Sequence, residues 1–347
     1  MYIKKILLAI AILGLIGLSV FSYYIYTSIF SANTSFSEEE KMVYVPTGAD
    51  YQTVIDSLQP YIEDMESFDP VARKKGYASN IKPGRYEIRS GMNNNELVNA
   101  LRRGNVPVKL TFNNQERLED LAGRIAEQIE TDSTALIKAF KDEEFLAKND
   151  FTQAEALAMY IPNQYELYWN TSAEEFRSRM KREYERFWTE EKRQKAEEIG
   201  LNPKEVSTLA SVVHKETAKI DERPKVAGVY MNRYKNGWKL DADPTVIYAL
   251  KNKTQKWDTI IKRVLYKDLE LDSPYNTYMY KELPPGPIFM ADISAINAVL
   301  NYEDHDYFYF VADVENFGYH KFAKNLAQHN RNKQEYVRWI NKQGVKR

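Results

Sequence analysis

Residues 202–218, NPKEVSTLASVVHKETA, predict a helix that carries the candidate chemistry of this chain. Asn202 is a preferred N-cap residue and Pro203 is favoured at the first helical position, so the pair marks a helix start. Apolar side chains recur on one side of this helix, at Val206, Leu209, Val212 and Val213. Such a stripe predicts a helix that buries one face in a core.

Glu216 is the acidic residue that falls in this apolar stripe. At 100° per residue, it lies about 40° from Val212 and about 20° from Leu209. Apolar surroundings disfavour a charged carboxylate and raise its pKa toward the range in which a general acid works. A structural interpretation is equally open, in which Glu216 lies at the edge of the core and pairs with Arg223 or Arg233.

Other short motifs exclude several kinds of chemistry. His214-Lys215-Glu216 resembles the H-x-E half of a zinc deaminase site, but the cysteine half cannot exist in a chain without cysteine. His214 also points about 160° away from the apolar stripe. The sequence has no H-E-x-x-H, no metal-ligand spacing among its four histidines, no G-x-S-x-G and no Walker-type loop. We therefore expect no metal and no cofactor.

The composition limits the class of protein. With 347 residues, 44% of them hydrophobic, the chain is long enough for about two folded domains. Residues 31–347 carry 46 basic and 49 acidic side chains, and this net charge of −3 argues against a nucleic-acid partner. The absence of cysteine excludes disulfide scaffolds and cysteine nucleophiles. The 25 tyrosines suit either a surface that stacks on sugars or ordinary strands.

The N-terminal segment MYIKKILLAIAILGLIGLSVFSYYIYTSIF, residues 1–30, predicts a cytoplasmic tip and a transmembrane anchor. Residues 6–30 are uncharged and long enough to cross about 30 Å of hydrocarbon. Lys4 and Lys5 precede this stretch, so we expect a cytoplasmic N-terminus and a body outside the membrane. A cleaved secretory signal is the alternative, but the segment lacks a good small-residue cleavage site. Residues 31–41 are expected to be a polar tether.

A weak repeat with an offset of 43 residues predicts a small α+β module at residues 42–110. The matched positions are Val45, Gly48, Val54, Ile55 and Leu58 in the first copy and Ile88, Gly91, Leu97, Val98 and Leu101 in the second. Each copy predicts a short strand, a glycine-containing turn and an amphipathic helix. Residues 107–112 predict one more strand.

Residues 111–347 are expected to form one larger domain. Its segment 116–200 is expected to be largely helical, with a single charged helix of about 25 residues within 172–200. After Gly200, short motifs rich in Gly, Pro, Tyr, Asn and Asp are typical of loops that carry binding residues. Residues 283–287, LPPGP, are expected either to form a turn that positions residues 275–278 or to shape one wall of a cleft.

Several segments together resemble one family, the endolytic murein transglycosylases of the MltG/YceG type. The segments are ASVVHKETAKIDERPKVAGVYMNR (210–233), LDADPTVIYAL (240–250), YNTYMYKELPPGPI (275–288), YFYFVAD (307–313) and HKFAKNLAQHN (320–330). The resemblance implies a mixed α+β fold with an N-terminal transmembrane helix, a small LysM-like β/α module and a larger mixed α+β catalytic domain. It also implies a single-pass protein of the bacterial inner membrane, with the catalytic domain on the periplasmic or outer face.

The activity implied by this resemblance is cleavage of MurNAc–GlcNAc linkages within nascent glycan strands, which leaves 1,6-anhydroMurNAc ends. Glu216 matches the catalytic glutamate of the family, in a segment that commonly reads E-K-E-T and here begins with His214. Asp241 stands where the family usually has Gln. The implied partners are peptidoglycan glycan strands, glycan polymerases such as penicillin-binding proteins, and the lipid bilayer around the N-terminal helix.

The matching segments also supply candidate binding and supporting residues. The candidate substrate-binding residues are Asp243, Thr245, Tyr275, Asn276, Thr277, Tyr278 and His320. The candidate supporting residues are Asn232, Arg233 and Glu222. Asp243 or Asn276 is expected to stabilise positive charge near the sugar ring oxygen. The alternative for residues 243–245 is that they simply cap the helix that follows.

One carboxyl group is sufficient for the implied reaction. Ordinary glycoside hydrolysis uses two carboxyl groups, whereas here the C6 hydroxyl of the sugar replaces the attacking water. Glu216 would act first as general acid and then as general base. Two rival functions stay open: a non-catalytic peptidoglycan-binding membrane scaffold of the wall-synthesis machinery, and a hydrolase that leaves reducing ends.

Overall fold

The chain begins with one long apolar helix, α1 (Tyr2–Phe30). The computed structural model describes residues 2–342. None of the α1 side chains is buried, and the mean hydropathy of its most apolar stretch is 2.4. A helix of this length spans about 44 Å, which exceeds the hydrocarbon thickness of a bilayer. By length and composition, α1 is able to cross a membrane.

The chain divides into two compact units. The first contains the chain up to Leu110, together with Gln128–Thr131 and Tyr165–Ser172. The second contains Thr111–Glu127, Asp132–Gln164 and the chain from Ala173 onward. The chain therefore passes between the two units several times.

The first unit is a mixed α+β structure. After α1, its elements are β1 (Glu40–Val45), α2 (Tyr51–Leu58), a 3-10 turn (Gln59–Tyr61), α3 (Met65–Lys74), β2 (Gly84–Arg89) and α4 (Asn94–Arg103). β1 and β2 pair in antiparallel fashion, with Glu40 opposite Arg89 and Val45 opposite Gly84. The alternate residues of both strands are buried, which is the pattern of a sheet with one face in a core.

Both predicted strand–turn–helix copies are present in this unit. Asp50 caps α2 and Asn93 caps α4, and each turn contains a glycine with positive φ, Gly48 at 78° and Gly91 at 82°. The core contains the apolar repeat positions that are fully buried, namely Val45, Val54, Leu58, Ile88, Leu97, Val98 and Leu101. The repeat therefore reflects two similar local structures that share one core.

Later segments of the chain complete the first unit. The Tyr44 ring lies against Trp169 with a centroid distance of 4.9 Å, and Glu130 accepts hydrogen bonds from the amide and the hydroxyl of Thr47 at 2.6 and 2.7 Å. The segment expected to be a tether also packs on this unit, because buried Asn33 donates a hydrogen bond to Asn94 at 2.7 Å.

Most of the second unit is helical. Its helices are α5 (Leu118–Ala126), α6 (Ser133–Phe140), α7 (Glu143–Lys148), α8 (Ala173–Phe187), α9 (Glu190–Glu198), α10 (Pro203–Glu216), α11 (Arg223–Lys235), α12 (Asp243–Thr254), α13 (Tyr266–Leu269), α14 (Ile293–Leu300) and α15 (Leu326–Lys342), with a 3-10 turn at Ala156–Met159. The strands β5 (Tyr309–Ala312) and β6 (His320–Ala323) form an antiparallel pair. α10 is the central helix, since every residue from Val206 to Val213 is buried and α11, α12 and α14 all pack on it.

The strand predicted at residues 107–112 is present as β3 (Val108–Phe112). It pairs with β4 (Asn163–Leu167), which lies inside the segment expected to be largely helical. β4 alternates exposed and buried residues at its end, as a half-buried strand does.

The prediction of a single helix within residues 172–200 is wrong. The structure contains two helices, α8 and α9, which are separated at Trp188 and Thr189. Trp188 is 2% exposed, and the Thr189 side chain accepts a hydrogen bond from the amide of Lys192 and caps α9. The evenly distributed charges hide this break, because they are compatible with one helix or two.

The LPPGP segment allows a test of packing in the second unit. A methyl group added at Gly286 would lie 1.9 Å from the carbonyl oxygen of Ala154, whereas one added at Gly123 on α5 would have no atom within 4 Å. We expect Gly286→Ala to destabilise the protein by about 1–3 kcal/mol through overpacking. Gly123→Ala should be neutral or stabilising by up to about 1 kcal/mol. Chemical denaturation measures both, and equal effects of the two substitutions would contradict this packing.

Candidate active site

Glu216 lies at the last position of α10. The helix begins as predicted, because the Asn202 side chain accepts hydrogen bonds from the amides of Lys204 and Glu205 at 2.9 and 3.0 Å. It ends at Glu216, since Thr217 has an extended backbone with φ −135° and ψ 133°. The C-terminal end of a helix carries partial negative charge, which disfavours a second negative charge there.

The Glu216 carboxyl is surrounded by protein atoms, although the residue keeps partial exposure to solvent. Loss of hydration raises the pKa of Glu216 to about 7, and the charge of nearby Asp243 acts in the same direction. His320 and the hydroxyl of Tyr230 oppose this effect. Tyr230, on α11, donates a hydrogen bond to Oε2 of Glu216 at 3.1 Å. The site therefore contains a carboxyl group that is partly protonated at neutral pH.

The two arginines considered as partners of Glu216 are bound elsewhere. Nη1 of Arg223 lies 2.8 Å from each carboxylate oxygen of Asp292. Nη1 of Arg233 lies 2.9 Å from Asp241. Because each guanidinium has its own carboxylate, this arrangement does not support the interpretation of Glu216 as the partner of an arginine.

The two departures from the family pattern have structural partners. His214 is half-buried, and its Nδ1 lies 3.3 Å from Asp292, on the side of α10 away from the apolar stripe. Asp241 has a left-handed backbone with φ 50° and pairs with Arg233. Aspartate tolerates this conformation better than most residues. Within residues 2–342, no group of three or more His, Asp or Glu side chains is arranged to hold a metal ion.

Glu222 connects three segments next to Glu216. It is 6% exposed, and its carboxylate accepts a hydrogen bond from the backbone amide of His320 at 2.7 Å. Nδ1 of His320 lies 2.8 Å from Oε2, and the hydroxyl of Thr217 donates to the same oxygen at 3.0 Å. A buried carboxylate is stable only when its oxygens are satisfied, as they are here. Glu222 therefore fixes both the end of α10 and the imidazole of His320.

Asn232 and Arg233 hold the chain that leads into β5. The Asn232 amide donates hydrogen bonds to the carbonyl oxygens of His305 and Tyr307 at 2.6 and 2.9 Å. Arg233 donates to the carbonyl of Phe308 at 2.7 Å. These two side chains fix backbone positions and make no contact with the Glu216 carboxyl that the structure records as a hydrogen bond or ion pair among residues 2–342.

Three of the candidate binding residues are fully buried. Thr245 and Thr277 are 0% and 1% exposed, and their hydroxyl oxygens lie 2.8 Å apart. Asn276 is 0% exposed and donates to the carbonyls of Leu269 and Leu271 at 2.9 and 2.8 Å. The two threonines join the start of α12 to the loop 275–278, and Asn276 ties the loop to the backbone at residues 269 and 271. Together they hold the loop in position.

Tyr278 and Tyr275 point in different directions from that loop. The Tyr278 hydroxyl donates to Oδ1 of exposed Asp243 at 2.7 Å, at the first turn of α12. Tyr275 packs on Tyr248 with a ring distance of 4.7 Å, and both line a cavity of about 350 Å³ together with Trp257. Asp243 and Tyr278 are close enough to Glu216 to interact with its charge, while Tyr275 belongs to an aromatic cavity farther along α12.

The sequence analysis missed the site residue Tyr230 and also missed Asp292, the partner of Arg223 and His214. Tyr230 is 2% exposed and lies in an apolar run of α11, where the sequence pattern predicts an ordinary core residue. Asp292 caps α14 and binds Arg223, but it lies outside the segments that carried the resemblance. Tyr230 could have been found from its place in the matched segment 210–233. No feature of the sequence pointed to Asp292.

The raised pKa of Glu216 predicts a pH-dependent effect on stability. In the folded protein the carboxyl holds its proton up to about pH 7, whereas in the unfolded chain it loses it near 4.5. Its contribution is therefore complete below pH 4.5 and is lost as the pH rises through 7. Glu216→Gln avoids this loss, so its stability relative to wild type should increase from pH 5 to pH 8 by up to about 3 kcal/mol.

Thermal unfolding of both proteins at the two pH values measures this effect. Glu282→Gln, which changes an exposed carboxylate in the same unit, is the matched control and should show no such increase. A stability difference for Glu216→Gln that does not change between pH 5 and pH 8 would contradict the raised pKa.

Removal of the Tyr230 hydroxyl should raise the pKa of Glu216 further. The hydrogen bond from Tyr230 stabilises the carboxylate, and Tyr230→Phe removes it while it keeps the ring. The change is measured by NMR titration of a carbon-13-labelled Glu216 carboxyl. Tyr234→Phe, on the same helix, is the control and should leave the titration unchanged. If the Glu216 pKa stays the same or falls in Tyr230→Phe, the hydrogen bond does not stabilise the carboxylate as expected.

Comparison with known proteins supports one family. The model of the YceG-like family matches residues 43–335. The chain is 29% identical over 316 residues to a Bacillus subtilis protein named endolytic murein transglycosylase, and the match covers 85% of this chain and 84% of that protein. It is 27% identical to a Streptococcus pneumoniae protein of the same name, where the match covers 87% of this chain and 59% of the longer relative.

A solved structure has a similar fold. The crystal structure of a yceG-like protein from Listeria monocytogenes aligns with a TM-score of 0.54 and 27% identity. The alignment covers 85% of this chain and 99% of that one. With most of its length matched by the family model, the chain belongs to the YceG-like family.

Proposed function

We propose that this protein is an endolytic murein transglycosylase that cleaves MurNAc–GlcNAc linkages within nascent glycan strands and leaves 1,6-anhydroMurNAc ends. The observation that carries the proposal is the Glu216 carboxyl, whose pKa is raised to about 7 by loss of hydration. The two arginines considered as its partners, Arg223 and Arg233, are bound to Asp292 and Asp241. The names of the Bacillus and Streptococcus relatives support the same activity.

In the proposed reaction, Glu216 acts twice. The protonated carboxyl gives its proton to the glycosidic oxygen while the bond from that oxygen to the anomeric carbon of MurNAc breaks. The C6 hydroxyl of the same sugar then forms a bond to the anomeric carbon, and the Glu216 carboxylate takes the hydroxyl proton. The enzyme returns to its starting state without water or a cofactor. Attack within one sugar is efficient because the reacting groups are already close together.

Tyr230 and the helix end adjust the proton affinity of Glu216 in opposite directions. Burial and the C-terminal end of α10 favour the neutral acid, which the first step requires. The hydrogen bond from Tyr230 favours the carboxylate, which the second step requires. A pKa near neutral makes both proton transfers accessible to one group.

Asp243 is the better candidate for stabilising the positive charge that develops near the ring oxygen. Its carboxylate is exposed at the start of α12 and its charge acts on Glu216, so it faces the same space. Asn276 is fully buried, and its amide is bound to backbone carbonyls. We therefore assign Asn276, Thr245 and Thr277 to positioning of the loop 275–278.

Tyr278 and His320 are the side chains proposed to contact sugars near Glu216. Tyr278 offers a ring and a hydroxyl beside Asp243. His320 has its Nδ1 directed at Glu222, which leaves Nε2 available for a sugar hydroxyl or N-acetyl group. Glu222, Asn232 and Arg233 act as supporting residues, because they hold His320, α11 and β5 in place.

The membrane location and the function of the small module are also proposals. α1 is proposed to cross the inner membrane once, with Lys4 and Lys5 in the cytoplasm and the catalytic unit on the outer face. The order β1–α2–α3–β2 with antiparallel strands supports a LysM-like module that binds glycan. Glycan polymerases, including penicillin-binding proteins, are the proposed protein partners, since they make the strands at the same membrane face.

The decisive experiment is digestion of uncrosslinked glycan strands by the purified chain in detergent. Mass spectrometry should find anhydro-ended fragments, which lack one water relative to hydrolysis products. Glu216→Gln should lower the rate by at least about 100-fold, and Glu282→Gln should leave it unchanged. Because the acid must begin protonated, the wild-type rate should fall as the pH rises above about 7.

Other products would support other functions. Fragments with reducing ends would identify a hydrolase. If wild type released no fragments at any pH or strand length, the proposal would be overturned in favour of a non-catalytic scaffold.

A further inference from the structure

An apolar groove of about 540 Å³ lies in the first unit, where the end of α1 meets α3. One wall is formed by Tyr24, Ile25 and Ile29 of α1, and the facing wall by Pro70 and Val71 of α3. We call it the α1–α3 groove. Its walls are built from the anchor helix and the folded module, so any ligand in it touches both.

The position of the groove relative to the bilayer follows from the length of α1. This step rests on the proposed membrane anchoring. Hydrocarbon of about 30 Å takes up about 20 helical residues. If the hydrocarbon begins at Ile6, just after Lys4 and Lys5, it ends near Ile25. The groove therefore lies at the boundary between hydrocarbon and headgroups, where the glycerol and the first acyl carbons of a lipid are found.

Basic side chains lie in and next to the lining of the groove. Lys74 and Lys75 line it. Nζ of Lys75 donates hydrogen bonds to the side chains of Asn95 and Asn99, and Arg102 and Arg103 at the end of α4 are close enough to repel its charge. Glu66 is an acidic side chain in the same lining. The surroundings thus carry excess positive charge next to an apolar wall, which matches the chemistry of a lipid with an anionic phosphate.

We propose that the α1–α3 groove binds one anionic phospholipid, with an acyl chain between α1 and α3 and the phosphate beside Lys74, within the positive field of Lys75. The lipid comes from the leaflet into which the C-terminal end of α1 extends. Binding of this lipid fixes the angle between α1 and the rest of the first unit. It therefore sets how that unit lies on the membrane surface.

Native mass spectrometry of the full chain released from nanodiscs tests this proposal. The nanodiscs contain phosphatidylglycerol and phosphatidylcholine in equal amounts. We expect one phosphatidylglycerol to be retained per chain in preference to phosphatidylcholine. Ser28→Trp fills the groove and should abolish retention, whereas Ser22→Trp, which is outside the groove lining on the same helix, should keep it. Lys74→Glu should lower retention about fivefold or more, and Lys82→Glu in the same unit should not.

Several results would overturn the proposal. These are equal retention of the two lipids, equal loss in the Ser28→Trp and Ser22→Trp proteins, and binding of glycerol phosphate as tightly as phosphatidylglycerol, which would indicate a phosphate site without an acyl chain. Alkaline carbonate extraction separates this failure from failure of the anchoring. A chain that stays in the membrane but retains no phosphatidylglycerol refutes the groove alone, whereas a chain that is extracted refutes both.

Discussion

The removal of water from one carboxyl group is the constraint on which the rest of the site depends. Glu216 is the last residue of a helix that is buried on all sides along Val206–Val213. The Glu216 side chain therefore lies among protein atoms. Burial and the helix end both favour the neutral acid, and the Tyr230 hydroxyl limits the effect. A surface glutamate with the same sequence neighbours would be ionised at neutral pH. The chemistry therefore comes from the packing of α10, and α11 supplies the fine adjustment.

The basic residues nearby are paired with other carboxylates, and within residues 2–342 none of them is recorded in an ion pair with Glu216. Arg223 is bound by Asp292, Arg233 by Asp241, and the His320 imidazole by Glu222. Each of these three side chains has its own carboxylate partner, in contacts that join α11, α14 and β6. A buried ion pair adds little net stability in general, but it costs much to break. Loss of one of these carboxylates should therefore destabilise the packing of α11 against its neighbours.

The sequence was sufficient to predict the features that depend on local pattern. The cap at Asn202, the apolar helix α1, the two strand–turn–helix copies and the place of Glu216 in an apolar stripe all follow from spacing and residue type. The features that depend on distant packing could not be predicted. Trp188 breaks a charged helix because its ring is buried, Tyr230 reaches Glu216 across a helix pair, and Thr245, Thr277 and Asn276 bind each other or the backbone rather than face solvent. Residue type alone cannot distinguish a polar side chain that binds a ligand from one that holds a loop.

The first unit is built from three separate segments of the chain, and this has a consequence for biosynthesis. Its sheet and helices are complete by Arg103, yet Trp169 packs on Tyr44, and Glu130 binds Thr47. Domains generally fold as units while the chain emerges from the ribosome. The first unit must wait until Ser172 has left the exit tunnel before all its contacts exist, when residues 111–127 and 132–164 of the second unit are already outside. The two units are therefore synthesised as interleaved pieces, and a gene fragment that ends at residue 110 cannot encode the first unit in its finished form.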